Sequence, residues 1–171
     1  MFDIRKMQET ALFERIKAAA GEELAAAIVY EGGAGSMDDA AWVCETMKRM
    51  EAAFDTQTLK RLRMGCQCGY GMDEKKALVR ELTRSANNME EFAGSEKAHN
   101  AGLFTEDGAL YLSFPFCPCP MLANVKRLDT KTWCYCTMGY SKELFEDVWG
   151  CEVEVDLLKS IKAGDDMCLM R

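Results

Sequence analysis

Six of the nine cysteines in this chain of 171 residues fall into three Cys-x-Cys pairs. Cys66 and Cys68 stand in GCQCG, Cys117 and Cys119 in FPFCPCPML, and Cys134 and Cys136 in WCYCT. Two thiols at this spacing seldom make a relaxed disulfide with each other, because bridge geometry demands a particular Cα separation and Cβ direction. Two such pairs can instead supply the four thiolates that a tetrahedral zinc ion accepts at about 2.3 Å. The pairs 117/119 and 134/136 are the first choice of ligands, expected on neighbouring strands. The pair 66/68 could replace one of them or complete a larger site. An iron–sulfur cluster also takes four thiolates and is the second metal reading. Free buried thiols, or redox pairing between the clusters, are the readings without a metal.

The rest of the chain restricts this chemistry. The only histidine is His99, so any metal site is mostly thiolate and any Cys/His pair has a single candidate base. Near the end of a helix, His99 reads first as a partly exposed or capping residue. Nine cysteines is an odd number, so they cannot all pair internally. A reducing compartment, where thiols or metal ligands outnumber disulfides, is the expectation. The opening MFDIRKMQET is charged and lacks the apolar run of a signal peptide, and no apolar stretch is long enough to span a bilayer. The chain is therefore expected in the cytoplasm, with no membrane partner. A net charge of −7 repels phosphate backbones, so nucleic acid is not expected as a partner either. The basic run KRLR at 60–63 reads as a solvated helix face. Cys44 reads as a small core residue, EGGAGS as a connection between helices, and Asp165 and Asp166 as turn residues. Trp42, Trp133 and Trp149 read as core.

The elements that must position the thiols are helical first and β-rich later. Helical periodicity covers 4–20 and 22–30. Ser36 with Asp39 predicts a capping box for a helix with Met37, Ala40, Cys44, Met47 and Phe54 on its apolar stripe. Thr56 is expected to cap a short helix ending at Gly65, Asp73 to start the next, and Asn88 to start a helix over 89–100 that contains Gly94. Residues 102–114 predict a hairpin around an Asp-Gly turn, with Leu110, Leu112 and Phe114 on one face. The β-rich run 132–137 predicts a strand, which would put the sulfurs of Cys134 and Cys136 on one face. Ser141 is expected to cap a helix closed by Gly150. Residues 151–157 alternate as a strand, and 167–171 form the last one. The order predicts an α+β fold: N-terminal helices over 1–100 packed on a small antiparallel sheet with one inserted helix over 101–171, in a single domain.

The C-terminal third carries a resemblance. Residues 133–171 resemble the ending of bacterial proteins grouped with L-2-amino-thiazoline-4-carboxylic acid hydrolase. They are also similar to the ending of the 4-vinyl-reductase domain. The shared pattern is a strand leading to a helix, then a closing V-E-V…S-I…G-D-x-C hairpin, here Val153, Glu154, Val155, Ser160, Ile161, Gly164, Asp165 and Cys168. The resemblance holds mainly over 101–171. It implies an α+β domain of the ligand-binding type that takes small hydrophobic molecules, with a cysteine-ligated metal in some members. The hydrolase name implies opening of a thiazoline ring, by a cysteine nucleophile or by water activated on a metal. The sequence leading reading is thus a small-molecule-binding or sensory domain with a cysteine-ligated zinc. The hydrolase and a metal-free thiol redox protein are the alternatives.

Overall fold

The computed structural model describes residues 3–171. Helix α1 (Ile4–Ala20) starts where the Asp3 carboxylate accepts from the Lys6 amide, and ends at Gly21. Helix α2 (Glu22–Val29) follows directly and packs along α1. The expected Ser36 capping box does not form. Asp38 caps α3 (Asp39–Ala53) instead, accepting from the Ala41 amide at 2.8 Å. Its buried face is Trp42, Val43, Thr46, Met47 and Met50; Met37, Ala40, Cys44 and Phe54 flank that face half-buried. Asp55, not Thr56, caps α4 (Thr56–Met64) through the Thr58 amide. In both cases a carboxylate one or two positions away from the expected hydroxyl offers the stronger acceptor to the open helix end.

Helix α5 (Met72–Arg84) begins after Gly71 rather than at Asp73. The run expected as one helix from Asn88 splits in two, α6 (Met89–Ala93) and α7 (Glu96–Asn100). Asn88 caps the first through the Glu91 amide. Ser95, just after Gly94, caps the second through the Ala98 amide. The hairpin stands as expected, β1 (Leu103–Glu106) paired with β2 (Ala109–Phe114). Its turn residues Asp107 and Gly108 have φ of 49° and 74°, the left-handed pair that a two-residue turn needs to match strand twist.

The largest departure from expectation lies at 132–137. This run is not a strand. Cys134 is the residue before helix α8 (Tyr135–Trp149), and Cys136 lies in its first turn. Ser141, expected as a cap, is buried mid-helix. Period 3–4 burial at Met138, Ser141, Leu144 and Phe145 outweighs the β preference of Trp, Tyr and Thr. Gly150 closes the helix in the left-handed region as expected. Of the alternating run 151–157, Val153, Val155 and Leu157 are half-buried, but only Leu157 enters strand β3 (Leu157–Lys159), and Cys151 is exposed. Strand β4 (Cys168–Met170) pairs with both β2 and β3, so the antiparallel sheet runs β1-β2-β4-β3.

The fold is α+β, with helices in the first hundred residues and the sheet in the remainder. Two apolar clusters hold it. One gathers α1 to α4 with Leu122, Val125 and Trp133; the other gathers α5 to α7, β1 and the second half of α8. Trp42 and Trp133 meet edge-on in the first, ring centres 5.8 Å apart. Gly139 on α8 lies against the Met64 carbonyl of α4, so close that an added Cβ would come within 1.7 Å of that oxygen. This contact brings the C-terminus of α4 to the N-terminal half of α8, and with them two of the three thiol pairs.

Candidate functional site

Seven cysteines converge where α4 ends, α8 begins and β4 passes. Cys66 and Cys68 follow α4, with Cys66 fully buried. Cys134 and Cys136 open α8. Cys117 and Cys119 sit in the irregular stretch between β2 and a short 3-10 turn at Pro120–Leu122. Cys168, on β4, is the seventh. Cys117, Cys119, Cys134, Cys136 and Cys168 line one small cavity of about 20 Å³, closed on another side by Ser160. The Cys134 sulfur lies 3.3 Å from the Ser160 hydroxyl. A second cleft, of about 110 Å³, adjoins it and is lined by Cys68, Cys119, Cys136, Lys75, Phe114 and Tyr140, among others. Cys119 and Cys136 therefore stand in the wall between the two. The expectation that the 117/119 and 134/136 pairs occupy neighbouring strands fails, since neither pair is on a strand. Cys134 and Cys136 do not share a strand face, although both reach the same cavity. Among the described residues no three His, Cys, Asp or Glu side chains already form a group that could hold a metal ion. The sulfurs are gathered, not closed on a point.

Arg63 shapes the electrostatics. It is 0% exposed, although it lies in the run expected on a solvated face. Nη1 donates to Gln8 Oε1 at 3.0 Å and Nη2 to the Trp133 carbonyl at 2.9 Å, while the guanidinium stacks 4.0 Å from the Trp133 ring centre. Gln8 in turn donates to the Cys66 carbonyl at 2.6 Å. Among the described residues Arg63 Nε has no hydrogen-bond partner. None of these contacts is with a carboxylate, so the buried charge lacks the counterion such a group normally requires. The groups on which it acts are the thiols of Cys66 and Cys136. Other cations face the same cluster: Lys75 toward Cys68, Lys162 toward Cys117 and Arg15 toward Cys66.

Without a metal, burial keeps most of these thiols protonated. Loss of water raises the pKa of Cys66 and Cys136, and the Arg63 charge opposes the rise. Burial pushes Cys134 to about 12 against the Ser160 hydrogen bond, and Cys119 to about 12 with Cys136 adding to the rise. Cys168 goes the other way, because the Cys117 thiol hydrogen-bonds to it. A raised acid pKa means the folded chain holds protons that the unfolded chain releases. Stability is therefore full below the ordinary thiol value of 9.0 and lost as pH rises toward about 12. The metal-free protein is expected to unfold at progressively lower urea concentration between those limits. A midpoint unchanged from pH 8 to 11 would show that these thiols are not buried in the neutral form.

The remaining candidates lie apart. His99 is exposed at the end of α7 and lines neither cavity. Cys44 packs half-buried against the first cluster, and Cys151 is exposed. Asp165 accepts from the Ser160 amide at 2.7 Å and Asp166 from Lys159 at 3.0 Å. Arg63 and Cys168 were not among the site residues expected from sequence. For Arg63 a signal exists: Leu59, Leu62 and Arg63 fall at i, i+3 and i+4, one helical face. Cys168 has no partner two residues away, and only the sheet order brings it in.

The whole chain, residues 1–171, matches the model of one protein family, described as a family of unknown function (DUF6144). The chain belongs to this family. No curated protein and no solved structure matches it. In this DUF6144 chain, among the described residues, no helix is long and apolar enough to cross a membrane.

Proposed function

We propose that the chain is a cytoplasmic small-molecule-binding or sensory protein whose gathered thiols hold a metal ion, zinc before iron–sulfur. The observation that carries this reading is Arg63: a fully buried guanidinium beside Cys66 and Cys136, with Nε unpartnered and no carboxylate in contact among the described residues. A metal that converts neighbouring thiols to thiolates supplies the negative charge this arginine lacks. The donor set fits, since soft thiolates are what zinc takes in closed sites. Cys117, Cys119, Cys134 and Cys136 remain the first set, with Cys66 and Cys68 adjoining and Cys168 available in the same cavity. Rotation about χ1 lets each sulfur move between staggered wells, which is the adjustment that closing on an ion requires. The apolar cleft beside the thiols supports the small-molecule part of the reading. The resemblance of residues 101–171 to ligand-binding domains supports it too.

Metal content per chain, on protein purified anaerobically without a histidine tag, tests this directly. About one zinc per chain is expected, and Cys134→Ser is expected to lower that stoichiometry. No metal, with all nine thiols titratable after unfolding, would overturn the proposal. A second reading, a hydrolase of a cyclic thiazoline-like molecule, is favoured by one feature: Cys68 and Cys136 open on that cleft. In that case Cys68, outside the first ligand set, is the nucleophile, and Cys68→Ser abolishes turnover while metal content is retained. Absence of turnover across a thiazoline panel would remove this reading.

A further inference from the structure

The cleft of about 110 Å³ carries a single cation. Among the described residues that line it, Lys75 is the one basic side chain, and no carboxylate is among them. The neighbouring cations of α5 are paired: Lys76 lies 3.7 Å from the Glu143 carboxylate and 3.5 Å from that of Asp147, and Arg80 lies 2.9 Å from Asp147. Among the described residues Lys75 has no such partner. Its side chain is exposed at the mouth of the cleft. Its ammonium turns over two rings of the wall, 5.8 Å from the Phe114 ring centre and 5.2 Å from that of Tyr140. The Tyr140 ring is fixed there, because its hydroxyl donates to the Tyr70 carbonyl at 3.0 Å. Farther in, the lining is Leu112, Leu144 and Met170. The buried hydroxyl on that side, Ser141, is turned onto the Met170 sulfur at 3.6 Å. The cleft thus has an apolar interior and an unpaired positive charge at its entrance.

We propose that this cleft binds a single-ring aromatic monocarboxylate, with the carboxylate on Lys75 at the mouth and the ring between Phe114, Tyr140 and the apolar interior. The proposal rests on the small-molecule part of the reading above and names the chemical class of the ligand. A carboxylate accepting from an ammonium makes a charge-assisted hydrogen bond, stronger than a neutral one. The interior offers nothing to a second charge, so the rest of the molecule must be apolar. Aromatic walls favour an aromatic body, which packs on them edge-on or offset. Size sets one ring as the limit, since an apolar cavity of about 150 Å³ holds benzene. Charge sets one carboxylate as the limit. Asp73, Glu74 and Glu143 act on Tyr140 from outside the lining, and the chain carries a net −7, so a dianion is repelled where a monoanion is held.

Benzoate and benzamide are the probes, alike in shape and different in charge. Ligand-observed NMR on the full chain as purified gives the affinity of each. Benzoate is expected to bind at least about tenfold more tightly, the effect of one hydrogen bond to a charged group. Lys75→Met keeps the stem on the rings and removes the charge, and is expected to bring the two affinities together. Lys76→Met makes the same change in net charge one residue along, at a lysine that is already paired, and is expected to keep the preference. Circular dichroism shows whether each variant is folded, and the preference of the unaltered protein decides independently of both. Equal affinities in the unaltered protein overturn the carboxylate and leave a neutral small-molecule cleft, so the proposed function stands. Binding of neither probe overturns the ligand class, while zinc measured in the same sample decides the metal part of that function separately. A preference that survives Lys75→Met, or that is lost equally in Lys76→Met, overturns Lys75 as the recognition element.

Discussion

Arg63→Ala is expected to destabilise the metal-free chain by about 3–5 kcal/mol, as large-to-small changes in a core do, and to weaken zinc binding at least about tenfold, or about 1.4 kcal/mol. The stability loss has identifiable parts. Gln8 Oε1 and the Trp133 carbonyl lose their charged donor, and both are buried. Hydrogen bonds to charged groups contribute about 1.5–3 kcal/mol each. The Trp133 face loses its stacked cation, and a void opens between α4 and α8. The affinity loss has a separate origin, the missing positive charge beside Cys66 and Cys136. Arg63→Met separates the two. It refills most of the volume, so part of the stability returns, but it restores no charge, so zinc affinity stays low. Urea denaturation of the metal-free forms and competition with a zinc chelator measure the two effects. Equal zinc affinity in the parent and both variants would remove Arg63 from the site and leave it a packing residue.

The second large effect is expected at Gly139. A methyl group there meets the Met64 carbonyl, a backbone atom that cannot turn aside, so α4 and α8 must separate. Overpacking of this kind costs about 1–3 kcal/mol, and a clash with backbone belongs at the upper end. Because Cys66 and Cys68 follow the end of α4 and Cys134 and Cys136 open α8, the separation also pulls those pairs apart. Gly139→Ala should therefore lower both the urea midpoint and the metal stoichiometry. Gly35→Ala is the control. Nothing lies within 4 Å of the added methyl, and a change within about 0.5 kcal/mol is expected. A Gly139→Ala protein as stable as the Gly35→Ala protein would mean that the two helices are not held at this point.

How far the sequence reveals the fold depends on which forces act locally. Helix α1 and the 103–114 hairpin are legible because a run of 17 residues repeats one apolar period and an Asp-Gly pair dictates its own turn. The caps of α3 and α4 are misread by two residues and one because Asp38 and Asp55 stand close to equally plausible Ser36 and Thr56, and only the backbone path chooses between them. Cys134 and Cys136 are misread because TWCYCT satisfies a strand pattern over six residues. Only the longer stretch to Trp149 shows the helical period, and Gly139 and Ser141 disguise it. The six paired cysteines are legible as one group without any knowledge of the fold, since spacing alone sets them apart. The burial of Arg63 is legible from its place on the Leu59–Leu62 face of α4, but its part in the site is not, and neither is that of Cys168, because what brings them in is who approaches from α8 and β2, which no local pattern records.

The sheet order β1-β2-β4-β3 places the last strand in chain order next to β2, inside the sheet. During synthesis the ribosome therefore delivers Cys66 and Cys68 well before Cys168, whose strand completes both the sheet and the thiol cluster. At about 5–20 residues per second, the roughly one hundred residues between them take about 5–20 s to emerge. For that interval the first thiols are in the cell without the later sulfurs that shelter them. The nascent chain, rather than the folded protein, is thus the form most exposed to oxidants and to stray metal ions.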